Sequence, residues 1–248
     1  MVARPLLSRL MALLALLGPC VTASAALAGS PAIVEARFTD PTTHYAHGVL
    51  GDGVEYAGLE ARDAAGERHR IRFAPNTRVF EDIAPRLWDV TGDGAPEIVV
   101  VETDPAQGAQ LAIYALGAGG LVKRAATPHI GSPNRWLAPI AAADFDGDGR
   151  VEIGYIDRPH LAKRLRLWRY EAGELRHLDD LDGLTNHRIG WDHIPGGLRL
   201  CDGVAEMITA DGGWQRIMAV RFAGGALQPR VFGRYDGPES LNRATRCE

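Results

Sequence analysis

Short runs in which apolar and polar residues alternate recur along the chain after residue 30. Examples are Gln110–Leu116, Arg164–Tyr170 and Gln215–Phe222, and Glu97–Asp104 is a further β-rich run. A period of two places successive side chains on opposite faces, as in a half-buried β-strand. Gly, Asp, Asn and Pro separate the runs, and there is little periodicity of 3.6 residues. The pattern predicts an all-β protein with antiparallel strands.

The strands are grouped in a repeating unit that is marked by an Asp-Gly turn and a following Glu. Asp93, Asp148 and Asp202 begin these Asp-Gly pairs, at spacings of 55 and 54 residues. Each unit reads as an apolar strand, the turn, a second strand, a hairpin to a third strand, and a fourth strand. Four antiparallel strands in a unit of this size are typical of one blade of a β-propeller.

A shorter first copy precedes these units, with its Asp-Gly turn at Asp52, only 41 residues before Asp93. The predicted strands of this copy are Ala32–Thr39, Tyr45–Leu50, Val54–Glu60 and Arg68–Phe73. We therefore predict one small β-propeller of about four four-stranded blades over residues 31–235, with the N-terminal strand completing a blade. An incomplete ring that a second copy of the chain completes is the alternative.

The Asp-Gly turn of the third copy is acidic in a pattern that predicts a metal site. Positions 1, 3, 5 and 9 of this loop are Asp144, Asp146, Asp148 and Glu152, and position 7, with its main-chain carbonyl, is Arg150. A tight turn at the central Gly points alternate side chains at one centre, and oxygen ligands in this number suit Ca²⁺ better than Zn²⁺. An EF-hand is not indicated, because Tyr155 replaces its twelfth-position Glu and strands flank the loop.

The turn of the second copy has the same spacing but fewer carboxylates. Its positions 1, 3, 5, 7 and 9 are Asp89, Thr91, Asp93, Ala95 and Glu97. With a neutral hydroxyl at position 3, this loop is expected to bind Ca²⁺ more weakly than the other. The last copy has Leu198 and Leu200 at positions 1 and 3, so we predict no ion there. Both ions are expected to be structural, because no acid or base of a catalytic metal site stands near them in sequence.

Two segments resemble a known repeat family. DVTGDGAPEIVVV (89–101) and AADFDGDGRVEIGYI (142–156) are similar to FG-GAP/VCBS repeats, the β-propeller repeats also found in integrin α subunits. In that family the calcium loop joins the innermost strand of a blade to the second strand. The resemblance thus implies inner strands at Val79–Trp88, Arg135–Ala143 and Arg188–Leu200. It also implies a protein that binds another protein or a glycan.

The proposed inner strands begin with similar basic residues. These are His44, Arg78, Arg135 and Arg188. Packing of the units around one axis would bring them to one mouth of the channel, where they would attract an anion. The alternative, which we favour, is that each arginine pairs with a nearby acid such as Glu81 or Asp82.

The two ends of the chain carry signs of export. Residues 1–28 resemble a cleaved signal peptide, with Arg4 and Arg9 before the apolar run Leu10–Leu17 and small residues after it. Cleavage leaves two cysteines, Cys201 and Cys247, which we expect to form a disulfide that tethers the tail 236–248. We therefore expect a periplasmic or secreted protein. No later apolar run is long enough to span a membrane.

Composition narrows the classes of function. The formal net charge of −4 argues against nucleic-acid binding, which needs a basic face. No catalytic constellation is identified, so the leading hypothesis is a non-catalytic, calcium-stabilised binding or scaffold protein with a protein or glycan ligand. The alternatives are a calcium-dependent hydrolase with its site in the channel, and an adhesion or assembly subunit. The oligomeric state is expected to be a monomer or a ring completed by a second copy.

Overall fold

The computed structural model describes residues 31–45 and 47–247, together with Met1. Apart from Met1, the predicted signal peptide lies outside the described residues. The described part contains seventeen strands and one short helix. Every pair of neighbouring strands is antiparallel. The all-β, antiparallel prediction is therefore confirmed, and the strands form three sheets.

The first sheet has eight strands and merges the first two predicted units. Its strands are β1 (Ile33–Thr42), β2 (Glu55–Asp63), β3 (Arg68–Arg72), β4 (Val79–Phe80), β5 (Arg86–Trp88), β6 (Glu97–Asp104), β7 (Gly108–Gly117) and β8 (Gly120–Ala126). The order is β1-β2-β4-β6-β7-β8, with β3 also on β2 and β5 also on β6. The first unit is thus not a separate four-stranded blade, because β4 pairs with both β2 and β6.

The predicted strand Tyr45–Leu50 is wrong. The described residues of this segment form bends and turns instead. Gly48 has a φ of 66°, and the amide of Gly51 donates to its carbonyl at 3.3 Å. A left-handed residue that closes a turn cannot continue an extended strand, so the chain passes from β1 to β2 through a turn.

The second and third sheets follow the predicted repeat more closely. The second contains β9 (Leu137–Ala143), β10 (Glu152–Asp157), β11 (Arg164–Glu171) and β12 (Glu174–Asp182), in the order β12-β11-β10-β9. The third contains β13 (Leu184–Thr185), β14 (Gly197–Cys201), β15 (Val204–Asp211), β16 (Arg216–Ala223) and β17 (Ala226–Arg234). In the third sheet β13 and β14 share one edge of β15, which continues through β16 to β17. The acidic loop 144–152 therefore joins β9 to β10, as the repeat implied.

Two of the three proposed inner strands are interrupted. Val79–Trp88 contains only β4 and β5, because the Asp82 carboxylate intervenes and accepts the Val101 amide at 2.9 Å. This bond replaces a main-chain bond of the ladder. Arg188–Leu200 is wrong for most of its length, since only β14 is extended and the residues before it form a connection. Gly190 and Gly196, with φ of 88° and 90°, break the strand there.

The core lies between the faces of neighbouring sheets. One buried cluster joins Val101 and Leu111 of the first sheet to Ile153 of the second. A second cluster joins the second sheet to the third, where Leu165 packs with Met207. Burial of each such side chain stabilises the fold by roughly 1.5–3 kcal/mol, and it fixes the strand ends that carry the loops described below.

A short helix and a disulfide hold the C-terminal tail. Helix α1 (Pro238–Ala244) buries Leu241 against Ile208 and Ile217 of the third sheet. Cys201 at the end of β14 is bonded to Cys247, with their Cα atoms 5.7 Å apart. The expected pairing of these cysteines is thus present. No helix among the described residues is long and apolar enough to cross a membrane.

Candidate functional site

The loop between β5 and β6 is folded around the carboxylate of Asp89. Asp89 Oδ1 accepts hydrogen bonds from the amides of Gly92 and Asp93 at 2.7 and 3.2 Å, and Oδ2 accepts one from Gly94 at 2.8 Å. Gly92 and Gly94 have φ of 74° and 86°, which favours glycine at both places. The position-1 acid therefore shapes the turn through three main-chain amides.

Glu97 closes the other end of this loop. Its Oε2 accepts the Val90 amide at 3.0 Å, and its Oε1 accepts the Thr91 hydroxyl at 3.3 Å. Burial raises the pKa of Glu97, although these hydrogen bonds oppose the shift. Within the described residues, no basic side chain forms an ion pair with Asp89, Asp93 or Glu97. The neighbouring strand β7 contains no Lys or Arg to supply one. The carboxylates of this loop therefore have no direct ion-pair partner among the described residues, although Arg124 on β8 lines the same cavity as Asp93 and Glu97.

The loop between β9 and β10 repeats the same backbone arrangement. Asp144 accepts the amides of Gly147, Asp148 and Gly149 at 2.7, 3.1 and 2.8 Å. Glu152 accepts the Phe145 amide at 2.9 Å, as Glu97 accepts that of Val90. The carboxylates of Asp144, Asp146 and Glu152 each place one oxygen within 4.8 Å of the others. The structure thus brings three of the four predicted acids together, without Asp148, and the ion itself stays a prediction.

An arginine from the next strand occupies part of this centre. Arg169 on β11 lies opposite Glu152 on β10 and is only 5% exposed. Its Nε is 2.6 Å from Glu152 Oε1, and its Nη2 and Nη1 lie 2.8 Å from Asp146 Oδ2 and 3.0 Å from Asp148 Oδ2. Arg150, predicted only for its carbonyl, also pairs its side chain with Asp148 at 2.6 Å. Sequence reasoning missed Arg169, although a basic strand facing an acidic loop was a visible signal.

In the last copy, too, arginine side chains pair with the acid of the repeat. Leu198 and Leu200, which replace its first two acids, lie on β14. Its Glu206 is fully buried and accepts Arg221 Nε at 2.9 Å and Arg230 Nη2 at 2.7 Å. Burial opposes ionisation of Glu206, but the arginines outweigh it and lower its pKa. Guanidinium groups thus pair with the position-9 Glu of the third and last copies but not with that of the second.

The donor chemistry of both acidic loops fits Ca²⁺. All the candidate ligands are oxygens, and Ca²⁺ takes six to eight of them, including carbonyls and water. In loop 89–97 these oxygens have no cationic partner. In loop 144–152 the same set is shared with Arg169, which any ion would have to displace or tolerate as a like charge.

A further acidic group was not singled out from the sequence. Asp63, Glu67 and His69 lie around the β2–β3 hairpin with ligand atoms within 4.8 Å of one another. Asp63 Oδ1 accepts the amides of Ala65 and Glu67, both at 2.9 Å, and Oδ2 lies 2.9 Å from His69 Nε2. These bonds account for the group as a cap of the hairpin.

A buried glutamate connects three units at the opposite end of the sheets. His47, which follows β1, places Nδ1 2.5 Å from the carboxylate of Glu81. Glu81 is fully buried and also accepts the Thr103 hydroxyl at 2.7 Å. Trp136, which precedes β9, donates its indole N–H to the Glu81 carbonyl at 2.7 Å. Residues from three units therefore meet at this point.

Contacts of the fourth unit link the third unit back to the first. His187, after β13, lies edge-on to Trp136 with ring centroids 4.8 Å apart, and its Nδ1 is 3.0 Å from His160 Nε2. The Gly190 amide then donates to the Val49 carbonyl at 3.0 Å, back in the first unit. Burial lowers the pKa of both His160 and His187 to about 4, so this pair is neutral near pH 7.

A pocket of about 300 Å³ opens beside these residues. It is lined by His47, Val49, Asn134, Arg135, Trp136, Arg158, His160, Leu161 and Ile189. Both acidic loops lie elsewhere: Glu152 begins β10, whereas Arg158 follows the other end of that strand. The pocket and the loops are thus separated by the length of the strands.

Only one of the four predicted anion-binding residues lines this pocket, namely Arg135. Arg78 pairs with the buried Glu102 at 3.0 Å. Arg188 stacks over Trp214, with its Cζ 4.7 Å from the ring centroid. His44 lies 2.9 Å from the Thr42 hydroxyl. The pairing of Arg78 follows the alternative that the sequence favoured, although with a different acid.

Strand topology and loops together define an all-β protein with acidic strand–loop–strand repeats. Residues 89–155 match the family model of an FG-GAP-like repeat, a stretch that contains both acidic loops. The resemblance seen in the sequence is therefore confirmed over these residues. The chain carries an FG-GAP-like repeat, as repeat-containing binding or scaffold proteins do. No curated protein matches the sequence.

Proposed function

We propose that the protein is an exported, non-catalytic binding or scaffold protein whose FG-GAP-like repeats are stabilised by Ca²⁺. The observation that carries this proposal is the FG-GAP-like match, which spans both acidic turns. The hydrogen-bond pattern of the two turns is the same, and all their candidate ligands are oxygens. A binding role for a protein or glycan ligand follows from the class of repeat.

The proposed ions are structural. Asp89, Thr91, Asp93 and Glu97, with the Ala95 carbonyl, would hold one; Asp144, Asp146, Asp148 and Glu152, with the Arg150 carbonyl, would hold the other. Bound there, Ca²⁺ neutralises the crowded carboxylates and links two strands across the turn. A ligand that binds only the native state adds about 2.7 kcal/mol of stability at a hundredfold excess over Kd.

We further propose that the four units form a small propeller around the central pocket. The proposal is supported by the circuit of contacts from His47 to Glu81, Trp136 and His187, and from Gly190 back to Val49. Contacts that return to the first unit within one chain favour a monomer. The rival is a ring completed by a second copy, and size-exclusion chromatography with light scattering separates the two.

Export to the periplasm or the cell exterior is supported by the disulfide, since such bonds persist in oxidising compartments. The predicted signal at residues 1–28 would direct it. Mass spectrometry of the purified chain tests this: we expect it to begin at Ala26 or Gly29 after secretion.

The central experiment is a calcium titration of the secreted chain followed by thermal unfolding. We expect the melting temperature to rise with Ca²⁺ and to fall in excess chelator, because the ion binds the native turns alone. A melting temperature indifferent to both would exclude the calcium assignment while leaving the repeat architecture intact.

One observation favours a hydrolase as the second candidate function. His47 lines the pocket, away from the acidic loops, and the buried Glu81 carboxylate contacts its Nδ1 from behind the wall. A buried carboxylate that orients an imidazole is one arrangement of a general base. Turnover of a panel of simple esters and glycosides by the wild type, lost in His47→Gln, would support it. A panel without turnover would exclude it for those substrates.

A further inference from the structure

We propose that the central pocket binds a small carboxylic acid with an apolar body, and that Arg135 anchors the carboxylate. The proposal deepens the binding role proposed above and rests on it, but it does not depend on the calcium loops. Its basis is the composition of the pocket wall, the hydrogen bonds of Arg135, and the apolar side chains beside it.

The wall of the pocket carries basic groups without a carboxylate. Its nine residues include two Arg and two His but no Asp or Glu, although the chain as a whole has a net charge of −4. Two acids contact the wall from behind, and both are buried and already bonded: Glu81 to His47 and Thr103, and Asp157 to Arg158. Because Arg158 is paired with Asp157 and His160 is neutral near pH 7, the positive charge that a negatively charged group would meet in the pocket comes from Arg135.

Arg135 is the guanidinium that remains available. Arg158 is held in a forked pair with Asp157 at 2.8 and 3.0 Å. Arg135 instead donates from Nη1 to the main-chain carbonyls of Pro133 and Asn134, at 3.4 and 2.7 Å. Within the described part of the chain it forms no ion pair. Its Nε and Nη2 groups can thus make the forked contact that arginine makes with a carboxylate.

The backbone that presents Arg135 is held in place. The Ala109 amide donates to the Arg135 carbonyl at 2.9 Å. Gly108 packs so closely beneath this segment that an added Cβ would meet the Ser132 carbonyl. Asn134 has a φ of 50°, a conformation that Asn tolerates better than most residues. An anchor on a fixed backbone loses less freedom on binding a ligand.

The apolar part of the wall indicates the rest of the ligand. Val49 and Trp136 form its buried side. Leu161 and Ile189 stand at the rim and are 64% and 71% exposed. Large apolar side chains exposed next to a free guanidinium suit a ligand that has one charged end and one apolar end. At about 300 Å³ the pocket lies at the small end of ligand sites, which suits a small acid rather than an oligosaccharide.

Isothermal titration with phenylacetate, together with the NMR signal of the Trp136 indole N–H, tests the proposal. We expect saturable binding of phenylacetate and much weaker binding of benzyl alcohol, acetate and inorganic phosphate, which each lack one of the two features. Arg135→Gln is expected to weaken phenylacetate binding about tenfold or more, because it removes a charged hydrogen-bond donor. Arg72→Gln, an exposed arginine near Asp40, is the matched control and should change nothing.

Three outcomes would overturn the proposal: no binding of phenylacetate, equal binding of benzyl alcohol, or equal affinity in Arg135→Gln. Tight binding of inorganic phosphate alone would replace it with a simple anion site. Thermal unfolding of each variant controls for loss of fold. If phenylacetate does not bind while Ca²⁺ still raises the melting temperature, the pocket assignment fails and the calcium-stabilised scaffold stands.

Discussion

Arg169 and Glu152 face each other across the β10–β11 pair, with Nε 2.6 Å from the buried carboxylate. The same guanidinium reaches Asp146 and Asp148. The loop with the most carboxylates is therefore the one with an internal cation, whereas loop 89–97 has none. Counting acids along the sequence ranks loop 144–152 as the stronger calcium site. The internal cation of loop 144–152 opposes that ranking, although this loop is also the one that brings three carboxylates within 4.8 Å of one another.

Replacement of Arg169 is expected to strengthen Ca²⁺ binding at loop 144–152. A unit charge about 4 Å from a divalent cation costs on the order of 8 kcal/mol at an effective dielectric constant of 20, so Arg169→Gln should raise affinity at least tenfold. Terbium luminescence and isothermal titration measure it. Arg176→Gln removes an exposed arginine that pairs with Glu171 and serves as the control. An unchanged affinity in Arg169→Gln would mean that the guanidinium moves aside at no cost.

Loss of Asp89 is expected to abolish most of the calcium-dependent stabilisation. Asp89→Asn keeps one oxygen for the turn but removes the charge, so the rise in melting temperature on adding Ca²⁺ should fall by half or more. Asp202→Asn alters the corresponding Asp-Gly turn of the last copy and should leave that rise unchanged. Equal loss in both variants would point to a nonspecific effect of charge.

Glu55 is expected to make stability depend on pH. Burial, with added repulsion from Glu81, raises its pKa to about 9, so it is protonated in the native state at neutral pH. In the unfolded chain it ionises near its ordinary value, so stability is full below about pH 4.5 and declines as pH rises towards 9. Glu55→Gln should therefore gain about 4 kcal/mol over the wild type between pH 5 and pH 8.

Urea unfolding at the two pH values measures this difference, and the exposed Glu174→Gln controls for general charge effects. If the free energies of unfolding of Glu55→Gln and the wild type differ equally at pH 5 and pH 8, the assignment is contradicted. Glu55 would then titrate with the same pKa in the folded and unfolded states.

The disulfide is expected to supply much of the stability of the C-terminal tail. Cys201 and Cys247 are 46 residues apart, and closing such a loop is worth about 3–4 kcal/mol in the unfolded chain. Cys247→Ser should lower the free energy of unfolding by this amount, and reduction of the wild type should match it. If Cys247→Ser unfolds at the same urea concentration, packing of α1 through Leu241 suffices alone.

The strands were predictable where local pattern and tertiary environment agree. The alternating runs at β7, β11 and β16 were correctly predicted as strands. In β11 and β16 buried positions alternate in part with more exposed ones, whereas β7 is buried along almost its whole length. Val79–Trp88 and Arg188–Leu200 were not correctly predicted, because a side chain in the first case and glycine turns in the second replace the main-chain ladder. Bonds that replace main-chain hydrogen bonds depend on partners distant in sequence, as the bond from the Val101 amide to Asp82 does.

Contacts between residues distant in sequence also limited the prediction of the candidate sites. The acidic turns were predictable because all their residues lie within nine positions. Arg169 was missed because it is brought to Glu152 by strand register alone. The residues of the central pocket were predicted only in part, because Arg135 lines it. Arg78 instead pairs with Glu102, and Arg188 stacks over Trp214. Arginine pairing is decided by the nearest available partner in space.

The bond between the Gly190 amide and the Val49 carbonyl has a consequence for biosynthesis. Its two ends are 141 residues apart, and at 5–20 residues per second the ribosome takes on the order of ten seconds to make the second after the first. During that interval the Val49 carbonyl lacks its hydrogen-bond partner, and the apolar surface around it is exposed to other nascent chains. A chain that has not yet reached residue 190 therefore lacks this contact between its first and last units.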